Sequence, residues 1–433
     1  MSKVVLVGGG HVNCQVLKIL KNVLPSGSKL TMVSECDRSF YSGMLPGSTS
    51  NIYDPKEIQV ELKPVAAFWN AEFIEERVER ISGNENKLIL ESGSQVDYDV
   101  LAINVGSKTK NTFDAPGVLE HSLTTRPIND LLGKIENREQ ELIDTNTIPK
   151  VVVCGAGWAG VELSFGFKNR WSKIFNQEID VSIISNHDTV LPSEKSPLRN
   201  EVIRKLQAQN ITMYNNTTAT EVTKEGVICS DGTHIEGNVV VWCTGAEPQP
   251  VTENSDLDIS KGYFRVNEYL QSTSHSNVFG AGDCVTMTPY EHLSYPFPPK
   301  AGVYAVRGGP VMSNNIANYI MGKELSPYVP QDEFLALLMT GDGKAIGQKF
   351  GMAFSGKWVW KLKDFIDVGF MKLFDPHMLF NDYDTKGYAE PVEDNRLFEE
   401  EGKLQNTYIY CHINHYFNKI ISENYNTFWY YVH

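Results

Sequence analysis

The chain has 433 residues, a formal charge of -14, 41% hydrophobic and 21% charged residues, which fits a folded protein of about two or three domains. The acidity argues against nucleic acid or anionic lipid as the main partner, and no apolar run of about 18 residues is present to span a bilayer. Seven cysteines (Cys14, Cys36, Cys154, Cys229, Cys243, Cys284, Cys411) stand singly, as reduced thiols of an intracellular protein do, with no disulfide framework and no dithiol redox centre.

Met1 leads into a strand by Val4, which leaves no room for a cleaved leader and makes the cytosol the expected location. Val4 to Val7 reads as a strand buried on both faces and ends in Gly8-Gly9-Gly10. From His11 to Asn22 the apolar residues Val12, Val16, Leu17, Ile19 and Leu20 fall at helical spacing. Strand, glycine turn and helix in this order aim backbone N–H groups at a pyrophosphate, although Asn13 stands at the third glycine position of GxGxxG. A second strand, Leu30 to Val33, offers Ser34 or Glu35 to hold a ribose; Glu35 is the better candidate, against its reading as a solvated loop carboxylate. Residues 71 to 105 read as a meander, with strands over Ala71 to Val78, Lys87 to Leu90 and a buried run that ends in Gly106-Ser107.

Pro116-Gly117 and Thr125-Arg126-Pro127 mark a boundary, followed by a connecting helix from Ile128 to Leu142. Val151 to Cys154 then runs into Gly155-Ala156-Gly157-Trp158-Ala159-Gly160, a complete GxGxxG between a strand and a helix. Glu162 sits in the following turn, either as an acid favoured by the helix dipole or as a residue facing a nicotinamide. The next strand, Val181 to Ile184, ends in Ser185 with neither an acid nor an arginine after it, so NADH and NADPH stay equally open. Further strands are Ile211 to Tyr214, Thr220 to Val222, Gly226 to Cys229 and Val239 to Trp242, the last closed by Thr244-Gly245-Ala246. At Phe279-Gly280-Ala281-Gly282-Asp283 a strand ends in Gly-Asp; this is either a plain turn or a close backbone approach with a carboxylate for a polyol.

Phe334 to Met339 and Ile346 to Phe354 read as strands flanking a Thr340-Gly341-Asp342-Gly343 turn. Lys357 to Phe374 is an amphipathic helix carrying Trp358, Leu362, Phe365, Ile366, Phe370 and Leu373; it packs on its own protein or docks on a membrane. Residues 376–433 lack periodicity and read as a poorly ordered tail.

The two glycine loops, the strand ending at Gly106, Val241-Trp242-Cys243-Thr244-Gly245 and the Gly-Asp occur in the order seen in two-dinucleotide-binding-domain flavoproteins. Over about residues 3–325 the chain resembles that group, the pyridine nucleotide-disulfide oxidoreductase superfamily. Phe40-Tyr41-Ser42-Gly43-Met44-Leu45-Pro46-Gly47, Pro299 to Arg307, Leu337 to Gly343 and Trp358 to Asp364 are most similar to type II NADH dehydrogenases and to the flavoprotein domain fused to selenide, water dikinase. The resemblance implies an α/β fold with two Rossmann-like, glutathione-reductase-like domains. An FAD domain (1–113 and 256–325) would be split by an NAD(P)H domain (114–255), with a small C-terminal α+β unit over 326–375.

It further implies FAD held by Gly8, Gly10, His11, Glu35, Ser42, Gly106, Gly282, Asp283 and Ala301, with Asp283 on the ribityl chain. Gly155, Gly157, Gly160 and Gly245 would hold NAD(P)H, while Glu162, Lys300 and Pro46 stand at the reacting rings. No metal is expected. Electrons would leave the flavin for a directly bound small acceptor, a quinone or another oxidant, with room for a homodimer and for peripheral membrane contact through residues 357–374. Where quinone reducers carry an Ala-Gln pair and a further glutamine, this chain has Ala301-Gly302 and Val306, which counts against quinone. The competing reading is a flavin-binding sensor with weak turnover, favoured by Asn13, Ser34 and Ser185.

Overall fold

A run of β-branched residues such as Val4, Val5 and Val7 is stable where both faces of a strand are covered, as in parallel sheets. In the computed structural model, which describes residues 2–331 and 334–374, that run becomes β1 (Lys3–Val7), with Val4 to Val7 buried. Helix α1 (His11–Val23) follows, then β2 (Lys29–Ser34), the short α2 (Leu45–Thr49), β3 (Glu72–Glu75) and β4 (Val100–Ile103). β4 pairs with β1, β1 with β2 and β2 with β3, all parallel.

The expected strand from Ala71 to Val78 is a correction. Glu72–Glu75 joins the parallel sheet, and a separate antiparallel meander of Val78–Ser82, Lys87–Leu90 and Gln95–Asp97 starts after it. Ser34 O binds the backbone N–H of Glu76, which closes the ladder and turns the chain out of the sheet.

The second sheet holds β5 (Ser122–Thr124), β6 (Lys150–Cys154), β7 (Asp180–Ile184), β8 (Ile211–Tyr214) and β9 (Val239–Trp242) in the order β5-β9-β6-β7-β8, again all parallel. Helices α3 (Ile128–Asp144), α4 (Trp158–Ile174) and α5 (Ser196–Ala208) connect it. A three-stranded antiparallel sheet over residues 219–236 packs Val222, Val227 and Ile235 against Val152, Val240 and Trp242. Two short segments, Lys108–Thr109 and Ala246–Glu247, pair antiparallel where the chain enters and leaves this region.

β10 (Val278–Gly280) then returns to the first sheet at the free edge of β4, with Phe279 opposite Ala102. Helix α6 (Gly302–Ile320) packs along α1. A three-stranded antiparallel sheet follows: β11 (Ala336–Met339), β12 (Ala345–Lys349) and β13 (Met352–Gly356). The single strand expected over Ile346 to Phe354 is in fact a hairpin. Phe350 (φ 50°) and Gly351 (φ 75°) both lie in the left-handed region that a two-residue turn of this hand needs.

Helix α7 (Lys357–Lys372) has the amphipathic spacing expected of it. The chain divides into two units, one ending at Trp360 and the other starting at Lys361. In the second, Lys363 Nζ and Asp367 Oδ2 form an ion pair at 2.6 Å with both side chains 7% exposed, one helical turn apart. The tail expected to be poorly ordered, 376–433, and Cys411 lie outside the described residues.

Candidate active site

At the end of β1 the Gly8 N–H donates to Val33 O at 2.8 Å, and α1 starts at His11 with Gly10 as N-cap. That cap has no side-chain hydrogen bond and the first turn has no acid, so the helix dipole and its first N–H groups are available to an anion. Asn13, the departure from GxGxxG, is buried. Its Nδ2 donates to Val7 O (2.9 Å) and Gly8 O (2.8 Å) and so holds the glycine turn from inside.

Asn104, just past β4, joins the early and late parts of this site. Its Nδ2 donates to Ala281 O at 2.8 Å. A Cβ on Gly8 (φ +90°) would lie 2.3 Å from Asn104 O, one on Gly10 2.1 Å from its Oδ1, and one on Gly282 (φ +83°) 2.6 Å from its Nδ2. Those three positions accept glycine alone because one asparagine is wedged between them. The loops form a cradle with open backbone and one carboxylate, Asp283.

Around the cradle, the His11 ring packs 5.4 Å from that of Tyr41, and burial pushes the imidazole down to about 4, so it is neutral at pH 7. Ser42 Oγ lies 3.3 Å from where a Cβ of Gly302 would stand, which brings the Ser42 loop to Ala301, the N-cap of α6. Pro46 is buried in α2, its carbonyl accepting from Ser50 N (3.0 Å) and Ser50 Oγ (2.8 Å). Glu35 pairs with Arg77 Nε at 2.9 Å, whereas Ser34 is buried beneath Gly9. Gly106 (φ 67°) has open space where a side chain would be.

The Asp283 carboxylate is 19% exposed. Its Oδ2 accepts from Ser107 Oγ (3.2 Å) and from Arg126 Nη1 (3.0 Å), and Arg126 also donates to Ser107 Oγ. Lys300 is half-buried. Its Nζ donates to Val285 O and lies 4.1 Å above the Tyr263 ring. Burial pulls its pKa down to about 8, opposed by the nearby Asp283 charge.

In the second cradle Gly155 (φ +118°) donates to Ile184 O at 3.0 Å. A Cβ on Gly160 would lie 1.9 Å from Gly155 O, so the helix packs onto its own loop. Gly157 caps α4 without a side-chain bond and faces open space, as Gly245 does. The segment after β7 folds back over the loop, with Leu191 N bonded to Ala156 O (2.8 Å) and Trp158 Nε1 to Glu194 Oε1 (2.8 Å). Ser185 turns inward to Thr189 O at 2.8 Å. Glu162 Oε1 accepts from the Met339 N–H of β11 at 2.9 Å, a contact that sequence did not disclose.

A family profile described as pyridine nucleotide-disulphide oxidoreductase matches residues 2–304. The chain belongs to that family. It is 24% identical over 338 residues to the type II NADH:quinone oxidoreductase of Haemophilus influenzae, which covers 66% of this chain and 74% of the relative. It is 25% identical over 285 residues to ferroptosis suppressor protein 1 of Xenopus tropicalis, covering 64% and 71%. Among solved structures, the sulfide:quinone oxidoreductase of Aquifex aeolicus matches with a TM-score of 0.73 at 20% identity, covering 86% of this chain and 91% of that one. NDH2 from Plasmodium falciparum in complex with NADH matches with a TM-score of 0.73 at 16% identity, covering 88% and 98%.

As a member of the pyridine nucleotide-disulphide oxidoreductase family the chain is an FAD-dependent NAD(P)H oxidoreductase, with FAD and NAD(P)H as its cofactors. The family name refers to a disulfide, yet the six cysteines among the described residues are free thiols. No helix of the described residues is long and apolar enough to cross a membrane. Asn104, Arg126 and Tyr263 were not singled out from sequence as site residues. A polar residue closing the apolar run Val100–Ile103 was the only local trace of Asn104, and Arg126 stood in a segment that read as a boundary.

Proposed function

We propose that the chain oxidises NADH or NADPH and passes the electrons to a small acceptor that meets the flavin directly. The observation that carries this reading is the pair of glycine cradles, each at a parallel strand end before a helix with no side-chain cap. In this proposal residues 1–113 and 256–325 form the FAD domain and 114–255 the NAD(P)H domain.

Bound FAD supplies the exchange between a hydride donor and a second acceptor; the protein supplies position and field. Gly8, Gly10 and the start of α1 take the FAD pyrophosphate, and Asp283 accepts from the ribityl hydroxyls. Gly155, Gly157 and Gly160 take that of NAD(P)H. Glu162, steadied by Met339 N, orients the nicotinamide end. Lys300 Nζ holds a proton beside the ring system, and Pro46 and Ala301 wall the site. Glu35, paired with Arg77 Nε through Oε2, would serve the adenosine ribose.

Quinone is the first acceptor to test, because relatives named as quinone oxidoreductases support it. A non-quinone oxidant is the second, favoured by Ala301-Gly302 and Val306, which carry no amide side chain. Peripheral membrane contact through α7 belongs to the quinone reading, supported by exposed Phe365 on that helix and exposed Leu373 just past its end. The test is anaerobic reduction of the purified flavoprotein with NADH or NADPH, followed by mixing with a panel of quinones and inorganic oxidants. Failure of both nucleotides to bleach the flavin would sink the proposal, and reoxidation by one acceptor class selects between the two readings.

A further inference from the structure

We infer that Arg126 is a positioning residue for the flavin-binding carboxylate, supplied to the FAD cradle by the segment that starts the nucleotide-binding sheet's first connection. The inference rests on FAD occupying the cradle of Gly8, Gly10 and Asp283.

Arg126 follows β5, and its neighbour Thr125 is anchored to that sheet. Thr125 N donates to Trp242 O at 3.3 Å, and Thr125 Oγ1 lies 3.4 Å from Thr109 Oγ1 on the outgoing crossover. From that anchor the guanidinium reaches back to the first sheet's Gly-Asp loop. Arg126 Nη1 donates to Asp283 Oδ2 at 3.0 Å and also to Ser107 Oγ, whose hydroxyl donates to the same Oδ2 at 3.2 Å. Both donors therefore converge on one carboxylate oxygen. Asp283 Oδ1 takes part in none of these bonds, which leaves it for ribityl hydroxyls.

The partners are 27% and 19% exposed, so the pair is neither a solvent-screened surface bridge nor a dry core pair. In that setting a charge-assisted hydrogen bond fixes the orientation of a carboxylate better than a neutral one. Lys300 is the other cation near Asp283, but its Nζ is committed to Val285 O and the Tyr263 ring and makes no ion pair with Asp283. Arg126 thus acts on the flavin through Asp283, and it ties the hold on FAD to the placement of the nucleotide-binding sheet.

The test compares the holoenzyme with Arg126→Gln, Arg126→Lys and Asp283→Ala. The FAD dissociation constant is read by flavin fluorescence and the flavin midpoint potential by dye equilibration. Expected are an FAD dissociation constant raised about tenfold in Arg126→Gln and a more negative potential, because a positive charge near the flavin is gone. Arg126→Lys, which keeps the charge, restores most of the potential and part of the affinity. Wild-type affinity and potential in Arg126→Gln, with FAD lost from Asp283→Ala, overturn the inference. If Arg126→Gln does not fold, Arg126→Lys decides, since wild-type affinity there shows that the paired hydrogen bonds from Nη1 to Ser107 and Asp283 are not used. Full FAD retention in Asp283→Ala instead overturns the assignment of the flavin to this cradle.

Discussion

Asn104 Nδ2 and the carbonyl of Ala281, 177 residues apart in sequence, are joined by a buried 2.8 Å hydrogen bond. This bond closes the edge where β10 returns to the first sheet, and the same residue lies against Gly8 through its carbonyl and against Gly10 and Gly282 through its amide side chain. Asn104→Ala leaves the buried Ala281 carbonyl with only the weak Cys284 thiol as donor, at a cost of about 1–3 kcal/mol. The expected result is that much lost stability in urea together with a lower ratio of flavin to protein absorbance after purification. Unchanged flavin content would show that Asn104 is a packing residue only.

The two glycine cradles should fail separately. Gly8→Ala puts a Cβ 2.3 Å from Asn104 O at φ +90° and is expected to yield protein without FAD. Gly160→Ala puts one 1.9 Å from Gly155 O and is expected to keep FAD while the NADH KM rises at least about tenfold. Flavin titration and steady-state kinetics on the two variants measure both arms.

Lys300 predicts a pH-dependent stability. Burial lowers its folded pKa to about 8 from the ordinary 10.5. Between those values the unfolded chain binds the extra proton, so stability rises with pH across that window, and the penalty for a buried ammonium is complete below about 8. Lys300→Met should therefore gain stability relative to the parent at pH 7 and lose that gain by pH 10. Thermal melts at the two pH values check it; a difference that does not change with pH would contradict the burial argument.

Glu139 holds the end of α2 to the nucleotide-binding helices through one arginine. It accepts from Arg170 Nε (2.5 Å) and Nη2 (3.0 Å) and from Trp171 Nε1 (2.7 Å), while Arg170 Nη1 reaches Ser48 O at 3.4 Å. Arg170 is 9% exposed, so Glu139→Ala strands a buried cation and should cost about 3–5 kcal/mol in chemical denaturation. The double variant Glu139→Leu with Arg170→Met should recover much of that loss.

Thiol alkylation should leave turnover intact. Burial pushes Cys14 and Cys243 up to about 12 and Cys284 up to about 11, so thiolate is scarce at neutral pH. Iodoacetamide at pH 7.5 is expected to modify the half-exposed Cys36 first among the described thiols and to leave NADH-driven flavin reduction unchanged. Stoichiometric inactivation would mean that a cysteine takes part in the electron path.

The strands that carry the two cradles, the complete GxGxxG at Gly155 and the return strand at Phe279 could be read directly, because β-branched runs and glycine spacing are local patterns. Where two left-handed residues or one carbonyl cut a stretch of strand-forming residues, as at Phe350-Gly351 and after Glu75, the pattern alone ran two strands into one. Asn13 looked like a defect and is a brace, since only folding turns its amide onto Val7 O and Gly8 O. Sequence by itself thus determined two dinucleotide cradles, their order, and the absence of paired cysteine spacing. Tertiary structure alone decided that Asn104 spaces the glycines, that Arg126 meets Asp283 and that Lys300 is half-buried. Each of these contacts depends on where a strand returns to its sheet, and that placement follows from burial summed over the whole core, which no local pattern records.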